Sequence, residues 1–385
     1  EMVIRDWSSD VCSSDLRHGR RRPGDQSDSP DMSKPRKLRS KKAGLPPGSL
    51  VHIGELKTSK PSFSVIDYDE HGLQEIQLPN PEEFATQPRQ YATRWANVYG
   101  AHHPSDLATL GKTFGLHPLA QEDILNNAQR QKLDAYDDNL YLVLHRYELA
   151  EKSLDLGQDQ ISMVIGRDYI LTFQERPSQT FEPIRQRLRA DHSPLRKDGV
   201  DMLAYSLIDT VVDSYFGIIE QLNDYAEALE TQILGHPSPS ALEGIHQLKR
   251  CVSHLRRNLH PLREVLGSLH RDAGDFFRTD IQLYIRDVYD HTVHILESLE
   301  DLRDLATGLL DIYLSTISHK VNLEVRTLTV VATIFMPATL IAGIFGMNFR
   351  EMPWLANPEG FSYAIELIGI IAAIMLLLFW RRRYV

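Results

Sequence analysis

A short polar turn follows a long apolar stretch near the C-terminus, and its residues Gly346, Met347 and Asn348 include ligands suited to an ion. The Asn348 amide oxygen and the Gly346 carbonyl are neutral hydrogen-bond acceptors. Mg²⁺ prefers oxygen ligands and gives up its water reluctantly, so such acceptors suit a hydrated ion. Neutral oxygens also let an ion leave, whereas a ring of carboxylates would hold it too tightly. Asn348 by itself is equally compatible with a helix C-cap.

Two apolar segments at the C-terminal end are long enough to cross a membrane. Residues 328–345 carry no charge over 18 residues, and residues 362–380 carry only Glu366. At about 1.5 Å per residue the first segment spans about 27 Å, close to the ~30 Å hydrocarbon core of a bilayer. Two spans cannot enclose a pore alone, so a pore here predicts an oligomer.

The charges beside these segments predict their orientation. Three arginines, Arg381 to Arg383, follow the second segment, and Lys320 and Arg326 precede the first. The connecting loop, residues 346–361, has a single basic residue. Because cytoplasmic flanks are rich in Lys and Arg, both termini are predicted to be cytoplasmic and the loop extracytoplasmic.

One very long helix is predicted to lead into the first apolar segment. Apolar residues alternate in steps of four and three, which is a heptad seam. A helix over residues 281–345 would be about 98 Å long, a length typical of a stalk that enters a membrane. The seam consists of Ile281, Ile285, Val288, Thr292, Ile295, Leu299, Leu302, Ala306 and Leu309.

Upstream of the stalk, the pattern is typical of an α/β domain followed by helices. Strands are predicted at residues 140–144, 160–165 and 169–173, with helices at 105–114 and 119–126. Two further helices, residues 201–234 and 240–269, carry opposite charges. This contrast favours an antiparallel pair, although ordinary solvated faces would have the same composition.

The N-terminal residues differ from the rest of the chain. Residues 1–16 resemble the translation of a sequencing adapter, and we expect them to lie outside the folded protein. Residues 17–48 are predicted to be a disordered basic tail. The whole chain has a net charge of −10, so the part after this tail is strongly acidic, which argues against a nucleic-acid partner. Cys12 belongs to the adapter-like segment that we set aside, so Cys251 is left without a disulfide partner.

The turn in its full context, Phe345-Gly346-Met347-Asn348-Phe349 followed by Met352-Pro353, resembles the signature of the CorA-type magnesium channel family. The resemblance extends over residues 50–385, and further matching motifs are His117-Pro118-Leu119, Glu122-Asp123-Ile124-Leu125, Tyr205-Ser206-Leu207-Ile208-Asp209, His246-Gln247-Leu248-Lys249-Arg250 and Arg286-Asp287-Val288-Tyr289-Asp290-His291. It implies a funnel-shaped homopentamer in which each chain has an α/β cytoplasmic domain, a long stalk helix and two transmembrane helices. The implied cellular location is the cytoplasmic membrane of a prokaryote.

The family resemblance also implies roles for particular residues. Gly346, Met347 and Asn348 would form the selectivity filter, and the pore would be lined by Asn322, Leu328, Met336 and Thr339. Regulatory Mg²⁺ would bind between subunits at Asp123 and Asp287, with Glu122 and Asp209 nearby. Trp354 stands where the family commonly has a glutamate, which removes one member of the acidic ring at the mouth.

The expected domains follow from these elements: 1–16 artefact, 17–48 tail, 49–200 α/β domain, 201–275 helical pair, 280–327 stalk, 328–345 first transmembrane helix, 346–361 loop, 362–380 second transmembrane helix and 381–385 basic tail.

Mg²⁺ is the expected transported and regulatory ion, and Co²⁺, Ni²⁺ or Zn²⁺ are the alternatives. No histidine lies beyond residue 327, which weakens a zinc assignment. A membrane-anchored coiled-coil receptor is the alternative of another class. The sequence has no P-loop, nucleophile elbow or His-Glu-x-x-His, so no enzyme is expected. The expected partners are further copies of the chain and membrane lipid, with no other protein partner implied.

Overall fold

The computed structural model of the chain describes residues 44–150, 154–272, 274, 276–347, 354 and 357–382. Residues 1–43, which contain the adapter-like segment and most of the predicted tail, lie outside the described residues.

A seven-stranded sheet organises the N-terminal half of the described chain. Its strands are β1 (Ser62–Asp69), β2 (Gly72–Leu78), β3 (Thr93–Tyr99), β4 (Lys132–Ala135), β5 (Leu140–Leu149), β6 (Leu156–Ile165) and β7 (Tyr169–Gln174). The spatial order is β2-β1-β3-β7-β6-β5-β4, and β3 and β7 are the parallel neighbours in an otherwise antiparallel sheet. The three predicted strands are confirmed as parts of β5, β6 and β7.

Two of the strands that the sequence did not reveal, β1 and β3, bury polar side chains, which obscures their apolar pattern. In β1 and β3, Asp67 and Arg94 form a buried ion pair with contacts of 2.7 and 2.8 Å. Trp95 of β3 donates its indole N–H to Thr172 of β7 at 3.0 Å. Because the Asp67 and Arg94 charges and the Trp95 indole have partners, these two strands tolerate a composition that looks like a loop.

Both faces of the sheet are covered, and the alternation along β5 shows how. Leu142 and Leu144 point into a core shared with the long helices, while Tyr141 and Val143 point into a second core on the opposite face. The second core is closed by α2 (Pro104–Phe114) and α3 (Pro118–Ile124), which confirms the two helices predicted there. The predicted α/β architecture is therefore correct.

Three long helices form the next layer, and the third runs on past it. They are α6 (Val200–Gly235), α7 (Pro239–Asp272) and α8 (Thr279–Phe345); the short helices α1 (Glu83–Thr86), α4 (Glu182–Arg189) and α5 (Pro194–Lys197) belong to the α/β part. Both α6 and α7 pack mainly on α8 rather than on each other. Arg256 of α7 accordingly pairs with Glu300 of α8 at 2.7 Å. The opposite charges of α6 and α7 therefore did not reveal that the main packing partner of each helix is α8.

The heptad seam of α8 is buried along its whole predicted length, from Ile281 to Leu309. It faces α6 and α7 of the same chain, so it is a three-helix core and not the interface of a coiled-coil dimer. α8 has 67 residues and is about 100 Å long. Its C-terminal third leaves the core and contacts α9 (Gly360–Arg381).

Three of the described helices are long and apolar enough to cross a membrane, namely α6, α8 and α9. More than half of the apolar stretch of α6 is buried inside the protein, whereas those of α8 and α9 are almost entirely uncovered. Apolar side chains gain nothing from facing water, so uncovered stretches of this length indicate contact with lipid or with further helices.

Candidate ion pathway and ion-sensing sites

The predicted pore positions share one face of α8. At about 100° per residue, Asn322, Leu328, Met336 and Thr339 fall within an arc of about 120°. All four are exposed in the single chain. The opposite face is the covered one, and its better buried residues are Val330, Ile334, Pro337, Ala338, Ile341 and Phe345. Because α9 contacts α8, the predicted pore face is the one turned away from α9.

The hydroxyl of Thr339 donates back into its own helix. Its Oγ1 lies 3.1 Å from the Phe335 carbonyl and 2.9 Å from the Met336 carbonyl. Pro337 lies inside the helix and has no N–H, so the carbonyl one turn earlier loses its usual donor. Since the Thr339 proton is engaged by the backbone, its oxygen lone pairs remain to accept hydrogen bonds. Such an oxygen can accept hydrogen bonds from the water molecules that surround a cation.

The candidate filter lies at the end of α8. Gly346 is the C-cap of the helix, and its N–H donates to the Ala342 carbonyl at 2.9 Å. By helical position Gly346 falls on the same face as Thr339. Met347 is exposed, and its N–H donates to the Ile344 carbonyl at 3.2 Å. Asn348 lies outside the described residues, so the structure places two of the three filter positions.

The predicted regulatory residues Asp123 and Glu122 lie on α3, and both already have partners within the chain. Lys132 contacts the Asp123 carboxylate at 2.6 Å, and Gln129 donates to it at 2.7 Å. Burial by itself lowers the pKa of Lys132, but its hydrogen bonds to Asp123 and Asp134 outweigh this effect and raise it. Glu122 accepts a hydrogen bond from the Gly48 backbone. A metal at Asp123 would therefore compete with a lysine of its own chain.

Asp209 of α6 and Asp287 of α8, by contrast, are near enough for their charges to interact. Burial, followed by repulsion from Asp213, raises the pKa of Asp209 to about 6. Burial and the nearby Asp209 and Asp287 carboxylates raise the pKa of Tyr205 to about 12. Within the described part of the chain, neither Asp209 nor Asp287 pairs with a lysine or arginine. Negative charge accumulates here without a fixed cation.

Sequence reasoning did not assign roles to Lys132, Asp213 and His291. The sequence contains no signal that points to Lys132, because its contact with Asp123 depends on a strand lying beside a helix. Asp213 and His291 each follow a regulatory candidate by four residues, which places them on the same helix face as Asp209 and Asp287. His291 lies between the two helices, with ring nitrogens 3.8 Å from Asp213 and 3.7 Å from Asp287.

An α/β domain, a helix that continues from its core into an uncovered apolar segment, and an apolar partner helix define a membrane protein with a large soluble domain. The family model described as CorA-like Mg²⁺ transporter protein matches residues 91–383. The chain belongs to this family, which is one of transporters. This membership decides against the coiled-coil receptor.

Known relatives agree with this assignment. The cobalt/magnesium transport protein CorA of Thermotoga maritima is 38% identical over 345 residues, which are 90% of this chain and 98% of that protein. The complete structure of the CorA magnesium transporter from Methanocaldococcus jannaschii superposes with a TM-score of 0.70 at 22% identity, covering 85% of this chain and 99% of that one. The ZntB cytoplasmic domain from Vibrio parahaemolyticus shares the fold at 14% identity and a TM-score of 0.54, covering 67% of this chain and 99% of that one.

Proposed function

We propose that the protein is a channel that carries hydrated Mg²⁺ into the cytoplasm and that closes when cytoplasmic Mg²⁺ is high. The observation that carries this proposal is the exposed face of α8, turned away from α9, on which Thr339 and Gly346 present oxygen acceptors. The protein is expected to be a transporter without enzymatic activity. We place it in the cytoplasmic membrane of a prokaryote, with both termini in the cytoplasm.

A homopentamer would bring five such faces together around one axis. One α8 helix cannot surround an ion, and its exposed face needs a partner of the same kind. Met336 and Leu328 are large, apolar and exposed, at 68% and 69%. Rings of these side chains would form a constriction that closes by loss of water. Asn322 would add a polar ring at the cytoplasmic end, and lipid would cover α9.

The filter would be formed by Gly346, Met347 and Asn348. Rings of neutral oxygens at this turn would accept hydrogen bonds from the water shell, so that Mg²⁺ would enter without losing it. The Thr339 oxygen lies on the same face and would continue the row of acceptors. Because the ligands carry no charge, the ion could leave as readily as it enters.

Regulatory Mg²⁺ would bind between subunits at Asp123 and Asp287, with Glu122 and Asp209 contributing. The surplus of negative charge around Asp209 and Asp287 supports this role, because a cation would relieve the repulsion there. Loss of the ion would let the subunits separate and shift the population to the open state. Lys132 sets a threshold in this scheme, since Mg²⁺ must compete with its ammonium for Asp123.

Co²⁺ is the second candidate substrate, because the Thermotoga relative is named a cobalt/magnesium transport protein. Ni²⁺ could follow the same path, as a hydrated dication of similar charge. Zn²⁺ is less suited to this pathway, since the proposed pore positions offer neither histidine nor cysteine. Competition of each ion with Mg²⁺ uptake would rank them.

The filter is tested by Mg²⁺ uptake into liposomes that contain the purified full chain and a trapped Mg²⁺-sensitive dye. We expect uptake by the parent, a loss of at least about tenfold in Asn348→Ala, and normal uptake in Asn357→Ala, a matched change in the same loop. Equal uptake by the parent and Asn348→Ala would remove Asn348 from the filter. Liposomes whose dye does not respond with the parent would contradict Mg²⁺ transport itself.

The sensor is tested in the same liposomes by raising internal Mg²⁺ before uptake begins. The parent should shut off, whereas Asp287→Ala should continue to conduct because one ligand of the bridging ion is gone. Asp290→Ala, an exposed acid on the same helix, is the control and should behave as the parent. Shut-off of Asp287→Ala at the parent's Mg²⁺ concentration would contradict the gating role.

A further inference from the structure

The segment of residues 129–132 lies between α3 and α7, and its two outer side chains hold Asp123. Gln129 donates a side-chain N–H to one oxygen of the Asp123 carboxylate at 2.7 Å. Lys132 donates to the other oxygen at 2.6 Å. The Gln129 carbonyl in turn lies 2.9 Å from a ring nitrogen of His145 in the sheet. Because two of its four side chains hold one carboxylate, a ligand that displaced either contact would change the position of the segment.

The two inner side chains of this segment contact α7 instead. Gln131 is only 3% exposed, and it donates a side-chain N–H to the backbone carbonyl of Asn258 at 2.6 Å. Its Oε1 is buried and has no hydrogen-bond partner in the part of the chain that the structure describes. Arg130 faces Glu264 at 3.6 Å, but both of these side chains are mostly exposed, so their pair contributes little. Gln131 therefore makes the buried polar contact between the segment and α7.

The Asn258 carbonyl belongs to a turn of α7 that has lost one backbone hydrogen bond. Pro261 lies inside the helix and has no N–H, so the carbonyl of Arg257 loses its usual donor. Proline positions are where helices most often bend. Leu255 and Leu259, one on each side of Asn258, are buried in the core that contains the seam of α8. A pull on the Asn258 carbonyl therefore acts on a deformable turn that is packed against the stalk helix.

We propose that Gln131 is a positioning residue that couples the state of Asp123 to α7 and, through α7, to the stalk helix. The inference rests on the proposed function, because it takes Asp123 as a ligand of regulatory Mg²⁺. When Mg²⁺ displaces Lys132 from Asp123, residues 129–132 shift, and the Gln131 amide passes this shift to the Asn258 carbonyl. Hydrogen bonds between packed elements are a physical route for such coupling. Gln131 contacts neither the proposed regulatory ion nor the pore, so its loss separates Mg²⁺ binding from closure.

Hydrogen exchange of the full chain in detergent, measured with and without Mg²⁺, reports on the two ends of this connection separately. In the parent, Mg²⁺ should slow exchange by at least about threefold both in α3 and in residues 255–264 of α7. Gln131→Met keeps the length of the side chain and removes its amide, so the slowing should persist in α3 and fall below about 1.5-fold in α7. A merely structural role would speed exchange in α7 equally with and without Mg²⁺. Arg130→Met removes the neighbouring exposed contact to α7 and is the matched control, which should respond to Mg²⁺ as the parent does.

Flux into liposomes measures the functional consequence of the same change. Gln131→Met should need at least about threefold more internal Mg²⁺ for half-closure than the parent, because binding and closure are no longer coupled. Its uptake at low internal Mg²⁺ should equal that of the parent, since the pore is unchanged. A closing concentration equal to that of the parent would count against the coupling.

A second variant keeps the test decisive if Gln131→Met does not fold. Gln131→Asn retains the amide but is one methylene shorter, so it should not reach the Asn258 carbonyl and should also lose the Mg²⁺ effect in α7. An effect in α7 as large in both variants as in the parent would overturn the coupling, while slowing in α3 would still support Mg²⁺ binding there. A parent in which Mg²⁺ leaves α3 unchanged would overturn the regulatory site and the coupling together.

Discussion

Individual carboxylates of this protein differ in how they are neutralised, and this difference sets what each can do. Asp123 has a lysine at 2.6 Å, whereas Asp209 is half-buried next to another acid. Burial and repulsion raise the pKa of Asp209 from 3.8 to about 6. A carboxyl with a raised pKa binds more protons in the folded than in the unfolded chain at intermediate pH.

Asp209→Asn should therefore stabilise the protein at pH 7.5 in the presence of a chelator. The folded chain loses stability as the pH rises from about 4 to about 6, and the cost is fully present above that range. The pKa shift corresponds to at most about 3 kcal/mol, and partial exposure reduces the expected gain to about 1 kcal/mol. Thermal unfolding of the parent and of Asp209→Asn between pH 4 and 8 measures this gain in stability. Asp224→Asn, an exposed acid on α6, should change stability by less than about 0.5 kcal/mol. A gain by Asp209→Asn that persists at pH 4 would contradict the explanation.

Lys132→Met should make the channel close at lower cytoplasmic Mg²⁺. Removing the ammonium leaves Asp123 without its ion-pair partner and frees it for the metal. An ion pair of this kind is worth about 1 kcal/mol, so the Mg²⁺ concentration for half-closure should fall about fivefold. Flux into liposomes at graded internal Mg²⁺ measures this. Lys112→Met, at an exposed position on α2, is the control. A higher closing concentration in Lys132→Met would count against competition at Asp123.

At the scale of elements, α8 combines two surfaces in one continuous helix. Its first part buries a seam against α6 and α7, and its last third exposes apolar residues beside α9. A rigid helix of this length can carry a change at the proposed regulatory acids to the proposed constriction at Leu328 and Met336. The coupling depends on the seam, because a loosened seam would let α8 move independently of the domain.

Leu299→Ala tests how much the seam contributes. Leu299 is fully buried, and removing its side chain should lower the free energy of unfolding by about 2 to 5 kcal/mol. Glu297→Ala changes an exposed residue half a turn away and should have an effect below about 0.5 kcal/mol. Chemical denaturation of the full chain in detergent, followed by circular dichroism, compares them. Equal stability of the two variants would mean that α8 does not need this packing.

At the scale of the whole molecule, the proposed topology places the acidic domain and both termini in the cytoplasm and the loop between α8 and α9 outside. In a chain with Cys12→Ser and Cys251→Ser, we expect Pro358→Cys to be labelled by an impermeant maleimide added to intact cells. Arg382→Cys should be labelled only after permeabilisation, because the arginines that follow the second apolar segment predict a cytoplasmic location for that end. Labelling of Arg382→Cys in intact cells would reverse the topology.

The sequence by itself determined the features that depend on local order. Helical periodicity located the buried seam of α8, apolar length located the candidate membrane spans in α8 and α9, and the turn at Gly346 carried the family resemblance. Strands β5 to β7 were also predictable, because they are apolar and bounded by polar residues. These features can be recognised from the sequence because each depends on the spacing of residues that are neighbours along the chain.

Only the tertiary structure decided which distant residues meet. It paired Asp67 with Arg94 in strands that look polar, and it brought Lys132 into an ion pair with Asp123. It turned the seam of α8 toward α6 and α7 of its own chain, which brought His291 to Asp209 and Asp213. The physical reason is that burial, repulsion and metal affinity depend on distances across elements, and residues many turns apart in sequence set those distances only once the chain has folded.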